Sequence, residues 1–283
     1  MTIRALIKET ATAFAAAAIS DARLEAEWLC AHVLGRDRLQ LFLEGGEAVP
    51  AEALARLAEL RRRRLAGEPL QYLLGTAEFY GLRLEVGPGV LIPRPETEEL
   101  VALALEHYPG HGPVCDLCTG SGAVALALAQ FLPDHPPVYA TEISPAALAY
   151  ARRNHARLGL DNLVLLEGDL FAPLPVDLRF GLIVANPPYV SPRLYAELPC
   201  EVRDFEPRLA LFAEEDGLAV LHRIASDGHA RLLAGGWLLS EIGSEQQDGA
   251  AALFEEHGYR SVTVAKDSFG KPRFVLGKHS GVT

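Results

Sequence analysis

An asparagine followed by two prolines and a tyrosine, Asn186-Pro187-Pro188-Tyr189, ends the apolar run Leu182-Ile183-Val184-Ala185. Proline offers no ladder hydrogen bond, so a β-branched run that meets two prolines reads as a buried strand that stops there. Asn186 is therefore expected at a strand's carboxyl end, the edge where open α/β sheets bind ligands. The chemistry this set suits is reaction at a weak nitrogen nucleophile. The Asn186 side-chain oxygen and the Pro187 carbonyl can both accept from one planar NH2 group, orienting it and raising its electron density as a bond forms, while the Tyr189 ring covers it. Asn-Pro also marks ordinary turns, so these four residues alone leave a plain turn open.

A second set lies upstream. Cys115-Asp116-Leu117-Cys118-Thr119-Gly120-Ser121-Gly122 runs from a strand pattern through a glycine-containing loop into a helix pattern. Gly120 and Gly122 allow positive φ and close approach of a ligand to the backbone. Glu142 follows Gly122 by 20 residues at the end of the next strand pattern, where a carboxylate can accept from two ribose hydroxyls. Asp169, ending the third strand pattern after Gly168, can accept from an adenine amine with Leu170 or Phe171 against the ring; an Asx turn is the other reading of Asp169. Together these positions describe a nucleoside site. A dinucleotide would favour a fuller Gly-x-Gly-x-x-Gly, and position 125 is Ala. S-adenosylmethionine needs no phosphate cradle, and its positive sulfonium suits an acidic wall.

These residues need a frame to hold them. From about residue 114 strands and helices alternate, the mark of a parallel sheet, with strands expected at 114–117, 138–141, 163–166, 182–185 and 237–242 and helices at 123–131 and 145–158. Two final runs, 262–266 and 272–276, have no helix between them and read as an antiparallel hairpin. Residues 76–93 alternate and then meet Gly87-Pro88-Gly89, a hairpin connector, and Pro93-Arg94-Pro95-Glu96 opens the next helix with acids in its first turn. Residues 1–75 lack strand patterns and read as a helical domain. One helix there is expected to carry Leu24, Trp28 and Ala31 on its face and end near Gly35; another opens at Pro50 with Leu54, Leu57, Ala58 and Leu65 on its face. Three parts follow: 1–75, 76–93 and 94–283.

Bulk properties narrow the classes. The formal charge of -11 has the wrong sign for gripping naked nucleic acid through phosphates. Arg61 to Arg64 circle their helix instead of forming one stripe and read as a solvated helix end. No apolar stretch approaches the ~18 residues of a membrane span, and the start does not read as a signal peptide. Four scattered cysteines point to a reducing cytoplasm, and Cys115 and Cys118, lacking further ligands, read as packing, so no metal is expected.

The string D-x-x-T-G-S-G with Glu142, Asp169 and N-P-P-Y resembles class I S-adenosylmethionine-dependent methyltransferases acting on planar amide or amine nitrogens. The segment L-I-P-R-P-E-T-E-E-L-V, after G-E-P-L-Q-Y-L-L-G-T-A-E-F-Y-G, narrows this: it is similar to the HemK-type glutamine methyltransferases of peptide chain release factors, the PrmC family. That resemblance implies a Rossmann-like sheet ending in an antiparallel hairpin behind a small helical domain that docks the substrate. It implies S-adenosylmethionine as cofactor and, as substrate, the glutamine of the Gly-Gly-Gln loop of release factors 1 and 2, without direct contact to nucleic acid or membrane; a monomer is expected. By the same resemblance, Asn186, Pro187, Pro188 and Tyr189 hold and cover the amide. Cys118, Thr119, Gly120, Ser121, Gly122, Glu142, Asp169, Leu170 and Asn186 contact the cofactor, and Pro93, Arg94 and Glu96 line the entrance. Cys118 stands where the family usually has Gly: a small thiol fits there at negative φ, whereas a positive φ would put cofactor affinity at risk. Leu170 stands where some relatives have an aromatic, which weakens adenine stacking or leaves it to Phe171. A ribosomal-protein glutamine methyltransferase, a nucleic-acid amine methyltransferase and a silent binding module are the other readings.

Overall fold

The structure, a computed structural model, describes residues 1–281; the last two residues of the 94–283 range lie outside the described residues. Two compact units emerge: Met1–Thr76 with Cys200–Phe205, and Ala77–Pro199 with Glu206–Thr283.

The first unit is helical: α1 (Ile3–Ala16), α2 (Ala22–Leu34), α3 (Arg38–Leu43), α4 (Ala51–Leu65) and α5 (Leu70–Leu74). Gly35 ends α2 in the left-handed region at φ 63°, as the sequence suggests. The buried faces differ from expectation. In α2 Ala26, Leu29, Cys30 and Val33 are buried, whereas Leu24 and Trp28 are 39% and 42% exposed. The small residues Ala26 and Cys30 leave room for the Phe14 and Leu29 side chains in one core, and the larger side chains turn outward. On α4 Ala53 and Leu57 are buried, while Ala58 and Leu65 are exposed. The arginine run is a solvated end only in part: Arg62 is exposed and Arg61 and Arg63 are half-buried, but Arg64 is not solvated. Arg61, Arg62 and Arg63 pair with Glu9, Glu59 and Glu68, and Arg64, buried, pairs with Glu25 at 2.6 Å and Glu201 at 3.1 Å. Each guanidinium faces a carboxylate of its own unit.

The second unit opens with a hairpin, β1 (Thr76–Phe79) and β2 (Leu82–Glu85). Its turn is Tyr80-Gly81, both at positive φ (48° and 74°), and not Gly87-Pro88-Gly89; a two-residue hairpin turn matching strand twist needs that conformation at both positions. Phe79, Leu82 and Leu84 join the core beneath α6 (Pro95–His107), so the hairpin packs as part of this unit.

The main sheet contains β3 (Val114–Leu117), β4 (Val138–Glu142), β5 (Leu163–Glu167), β6 (Phe180–Ala185), β7 (Leu232–Glu241), β8 (Arg260–Lys266) and β9 (Pro272–Lys278). Their order is β5-β4-β3-β6-β7-β9-β8. The first five are parallel; β9 runs antiparallel to both β7 and β8. The remaining helices are α7 (Ala123–Phe131), α8 (Pro145–Leu158), α9 (Pro192–Glu197), α10 (Cys200–Arg203, in the first unit), α11 (Ala219–His229) and α12 (Gln247–Glu256). Every residue of β3 and β6 is buried, as for strands covered on both faces. The buried alanine and leucine side chains of α7 pack in one core cluster with Val114 and Val184, and Phe254 and Tyr259 join a second cluster with Ile183 and Val275. Each large apolar side chain so buried contributes about 2 kcal/mol.

Candidate active site

The strand order reverses between β3 and β6 while the strands stay parallel. Leu117 lies opposite Ala185, so Cys118 and Asn186 leave the sheet side by side; Ala185 in turn lies opposite Ser240, which sets Glu241 beside Asn186 on its other flank. A cavity opens at this edge. It is lined by Pro93, Arg94, Cys118, Thr119, Gly120, Ser121, Glu142, Asp169, Leu170, Asn186 and Pro188. The chain thus brings together most of the positions singled out from sequence, at the switch point where such sheets bind ligands.

The loop after β3 is shaped by three left-handed residues, Cys118, Gly120 and Gly122, at φ 59°, 58° and 83°. A Cβ built at Gly120 meets nothing within 4 Å, so the loop backbone faces open space there. Gly122 does not line the cavity; its backbone lies against Leu126 and Ala151, where a Cβ would come within 3.1 Å. Cys118 adopts the conformation that suits glycine, at a cost of about 1–2 kcal/mol. Valine, branched at Cβ, tolerates this far less. Cys118→Val is expected to lower stability by about 2 kcal/mol in urea unfolding, and an unchanged midpoint would contradict the left-handed geometry.

Asp116 organises the loop from below. Its Oδ2 accepts from Thr119 Oγ1 at 2.5 Å and from the Ala125 backbone N–H at 3.1 Å. Burial pushes its carboxyl up to about 7, with the Glu142 charge adding to the rise and the two hydrogen bonds opposing it. The native state therefore holds this proton above the unfolded value of 3.8. The stability it contributes is complete below about pH 4 and is lost as pH rises towards about 7. Asp116→Asn is expected to flatten the fall in melting temperature between pH 5 and pH 8; an unchanged slope would contradict the assignment.

Glu142 is 8% exposed, and burial raises its carboxyl as well. Its Oε2 accepts from the Gly120 N–H and its Oε1 from the Ser144 N–H, both at 2.8 Å. These bonds tie the β3 loop to the start of α8. Beside it Thr141 Oγ1 is buried without a hydrogen-bond partner. Buried acids, an unpartnered hydroxyl and an open stretch of backbone fit a polar, cationic ligand. Asp169 forms an ion pair with Arg223 of α11 at 2.6 Å, and both line the cavity. Leu170, at φ 47°, lines it too, whereas Phe171 is buried in the core and is not part of the lining.

At the other side Asn186 Nδ2 donates to Thr97 Oγ1 at 3.1 Å, and Thr97 Oγ1 donates to Glu241 Oε2 at 2.7 Å. Tyr189 OH donates to Glu241 Oε1 at 3.0 Å. Tyr189 lines a small recess with Asn186, Arg94 and Glu241 instead of the main cavity, and Pro187 is buried away from it. Arg94 is held at the entrance by Glu206, whose other oxygen accepts from the Ile92 N–H at 3.0 Å. Glu96 does not line the cavity; it lies in the first turn of α6. Glu206, Arg223 and Glu241 are not visible from sequence, and Thr97, inside the entrance segment 92–98, has a hydrogen-bonding role there that the sequence does not show. Thr97 sits inside the P-E-T-E string; the others carry no local pattern. Among the described residues no helix is long and apolar enough to cross a membrane, and no group of three or more His, Cys, Asp and Glu is placed to hold a metal ion.

Fold and site together define a class I S-adenosylmethionine-dependent methyltransferase. Residues 97–197 match the methyltransferase small domain, and two solved structures share the fold. One is the Thermus thermophilus 16S rRNA N2 G1207 methyltransferase in complex with AdoMet and guanosine, 19% identical, TM-score 0.54, covering 72% of this chain and 49% of that one. The other is a methyltransferase from Pyrococcus furiosus, 20% identical, TM-score 0.54, covering 82% and 100%. Residues 5–75 match the PrmC N-terminal domain. Curated relatives called release factor glutamine methyltransferase include those of Geobacter sulfurreducens, 42% identical over 98% of this chain and 96% of its own length, and Bordetella pertussis, 46% identical over 90% and 94%. The chain belongs to the release factor glutamine methyltransferase family.

Proposed function

We propose that this protein methylates the side-chain amide nitrogen of the glutamine in the Gly-Gly-Gln loop of bacterial class 1 release factors, factors 1 and 2, using S-adenosylmethionine. The observation that carries the reading is the fixed direction of Asn186: its Nδ2 is engaged by Thr97, which leaves Oδ1 to accept from the incoming amide. The Pro187 ring is buried and lines neither space, so its assigned part is limited to its backbone carbonyl at the same strand end as second acceptor, and Tyr189 flanks the amide from its recess. Glu142 holds the ribose hydroxyls, Asp169 and Leu170 the adenine, and Cys118 to Ser121 the methionine part, with Pro93 and Arg94 at the entrance.

The cofactor supplies, when bound, a methyl group made electrophilic by a positive sulfur. The chain's own residues orient the amide nitrogen towards that site and stabilise the positive charge that grows on it. Asn186 Oδ1 and the Pro187 carbonyl are acceptors only, so their bonds to the amide N–H groups strengthen as the nitrogen becomes positive. No general base is needed, because the N-methylated amide loses its proton readily to water. The helical unit docks the release factor, and the enzyme works as a monomer.

The test is transfer of labelled methyl to purified release factor, beside total ribosomal protein and DNA. Label on the release factor supports the reading; label only on ribosomal protein or DNA keeps the chemistry and overturns the partner.

A further inference from the structure

Glu241 is 1% exposed, 144 residues from Thr97 in sequence, and lines the small recess and not the main cavity. Its surroundings are mixed in charge: Arg273 approaches from β9, Tyr189 from the segment after β6, and Glu96 from α6. Burial pushes the Glu241 carboxyl up and the Glu96 charge adds to the rise, while the hydrogen bonds from Thr97 and Tyr189 and the Arg273 guanidinium favour its ionised form. In that form it only accepts hydrogen bonds. It therefore takes the single hydroxyl proton of Thr97 and that of Tyr189. With its one proton committed, Thr97 Oγ1 can only accept from Asn186, and an amide meeting an acceptor must present its NH2 to it. The polarity of the whole chain, from Glu241 through Thr97 to Asn186, is set at its buried end.

We infer that Glu241 and Thr97 are positioning residues that lock the Asn186 amide with its oxygen towards the acceptor substrate. This rests on the proposed role of Asn186 as the holder of the acceptor amide. The consequence is a selectivity in proton direction. With the amide reversed, Asn186 would offer a donor to an NH2 group, which cannot accept usefully, and the nucleophile would be turned away. A buried carboxylate is costly to keep without strong partners, and here its partners are the residues that face the acceptor.

Replacing Glu241 by Gln changes little in shape but adds a donor, so the Thr97 hydroxyl can accept from the new amide and donate to Asn186 Oδ1. Both directions become available. Glu241→Gln is expected to lower kcat for methyl transfer at least about tenfold, with KM for the release factor and the Kd for S-adenosylmethionine changed less than about threefold. Thr97→Val, which removes the relay hydroxyl, is expected to behave in the same way, and Thr97→Ser, which restores it, to stay within about twofold of the parent enzyme. Full kcat in Glu241→Gln, or equal kcat in Thr97→Val and Thr97→Ser, would overturn the inference. Asn186→Ala run alongside separates the two levels: if it loses activity while the Glu241 and Thr97 variants keep theirs, only the locking role fails. If it keeps activity, the acceptor role of Asn186 fails first.

Discussion

Asn186→Ala is expected to lower kcat for methyl transfer about a thousandfold while the Kd for S-adenosylmethionine moves less than about threefold. The size follows from what the side chain does. Removing one preorganised hydrogen-bond partner of a charge that develops in the transition state costs about 3–4 kcal/mol in a water-excluded site. Asn186 stands at the end of the fully buried strand β6 and is held by Thr97, so its position is set before substrate arrives. Its loss removes orientation as well as charge stabilisation. Cofactor affinity is spared because the ribose and methionine contacts are assigned to Glu142 and to the loop after β3, which Glu142 holds through the Gly120 N–H, and not to the Asn186 side chain. Steady-state kinetics with a release factor substrate, paired with calorimetric titration of the cofactor, separates the two effects. Parallel loss of both would mean that Asn186 serves the cofactor cavity instead of the acceptor.

The second large effect is the reverse. Glu142→Ala is expected to weaken S-adenosylmethionine binding about a hundredfold, roughly 3 kcal/mol, with kcat at saturating cofactor much less changed. The Glu142 oxygens accept from the Gly120 and Ser144 backbone N–H groups, so the carboxylate both faces the ligand and holds the loop that receives it. Glu142→Gln, which keeps one acceptor oxygen, should fall between the two. Unchanged affinity in the alanine variant, measured by titration, would remove Glu142 from the ribose site.

The parts of this account that could be read from sequence are those written in local pattern. The alternation of strands and helices after residue 114 is local, and helices α7 and α8 lie where the sequence places them. Asp-x-x-Thr-Gly-Ser-Gly and Asn-Pro-Pro-Tyr each occupy one strand end, and parallel pairing of β3 with β6 carries them together without further instruction. What could not be read depends on distant partners. Glu241 ends a strand of ordinary apolar character, and only the β6 and β7 register brings it beside Asn186. Arg223 and Asp169 are 54 residues apart, and Glu206 lies 112 from Arg94. The exposed Leu24 and Trp28 misled because both stripes of α2 contain apolar residues, and packing space selected the one with small side chains. The positive φ of Cys118 is likewise a property of the loop's closure over Asp116, which residue type alone opposes.

The most direct test of the central claim is peptide mass mapping of a release factor after incubation with this enzyme and S-adenosylmethionine. The account predicts a single added methyl on the glutamine of the Gly-Gly-Gln loop, present with the parent enzyme and absent with Asn186→Ala. A methyl group on any other residue, or the same modification with the Asn186→Ala protein, would contradict it.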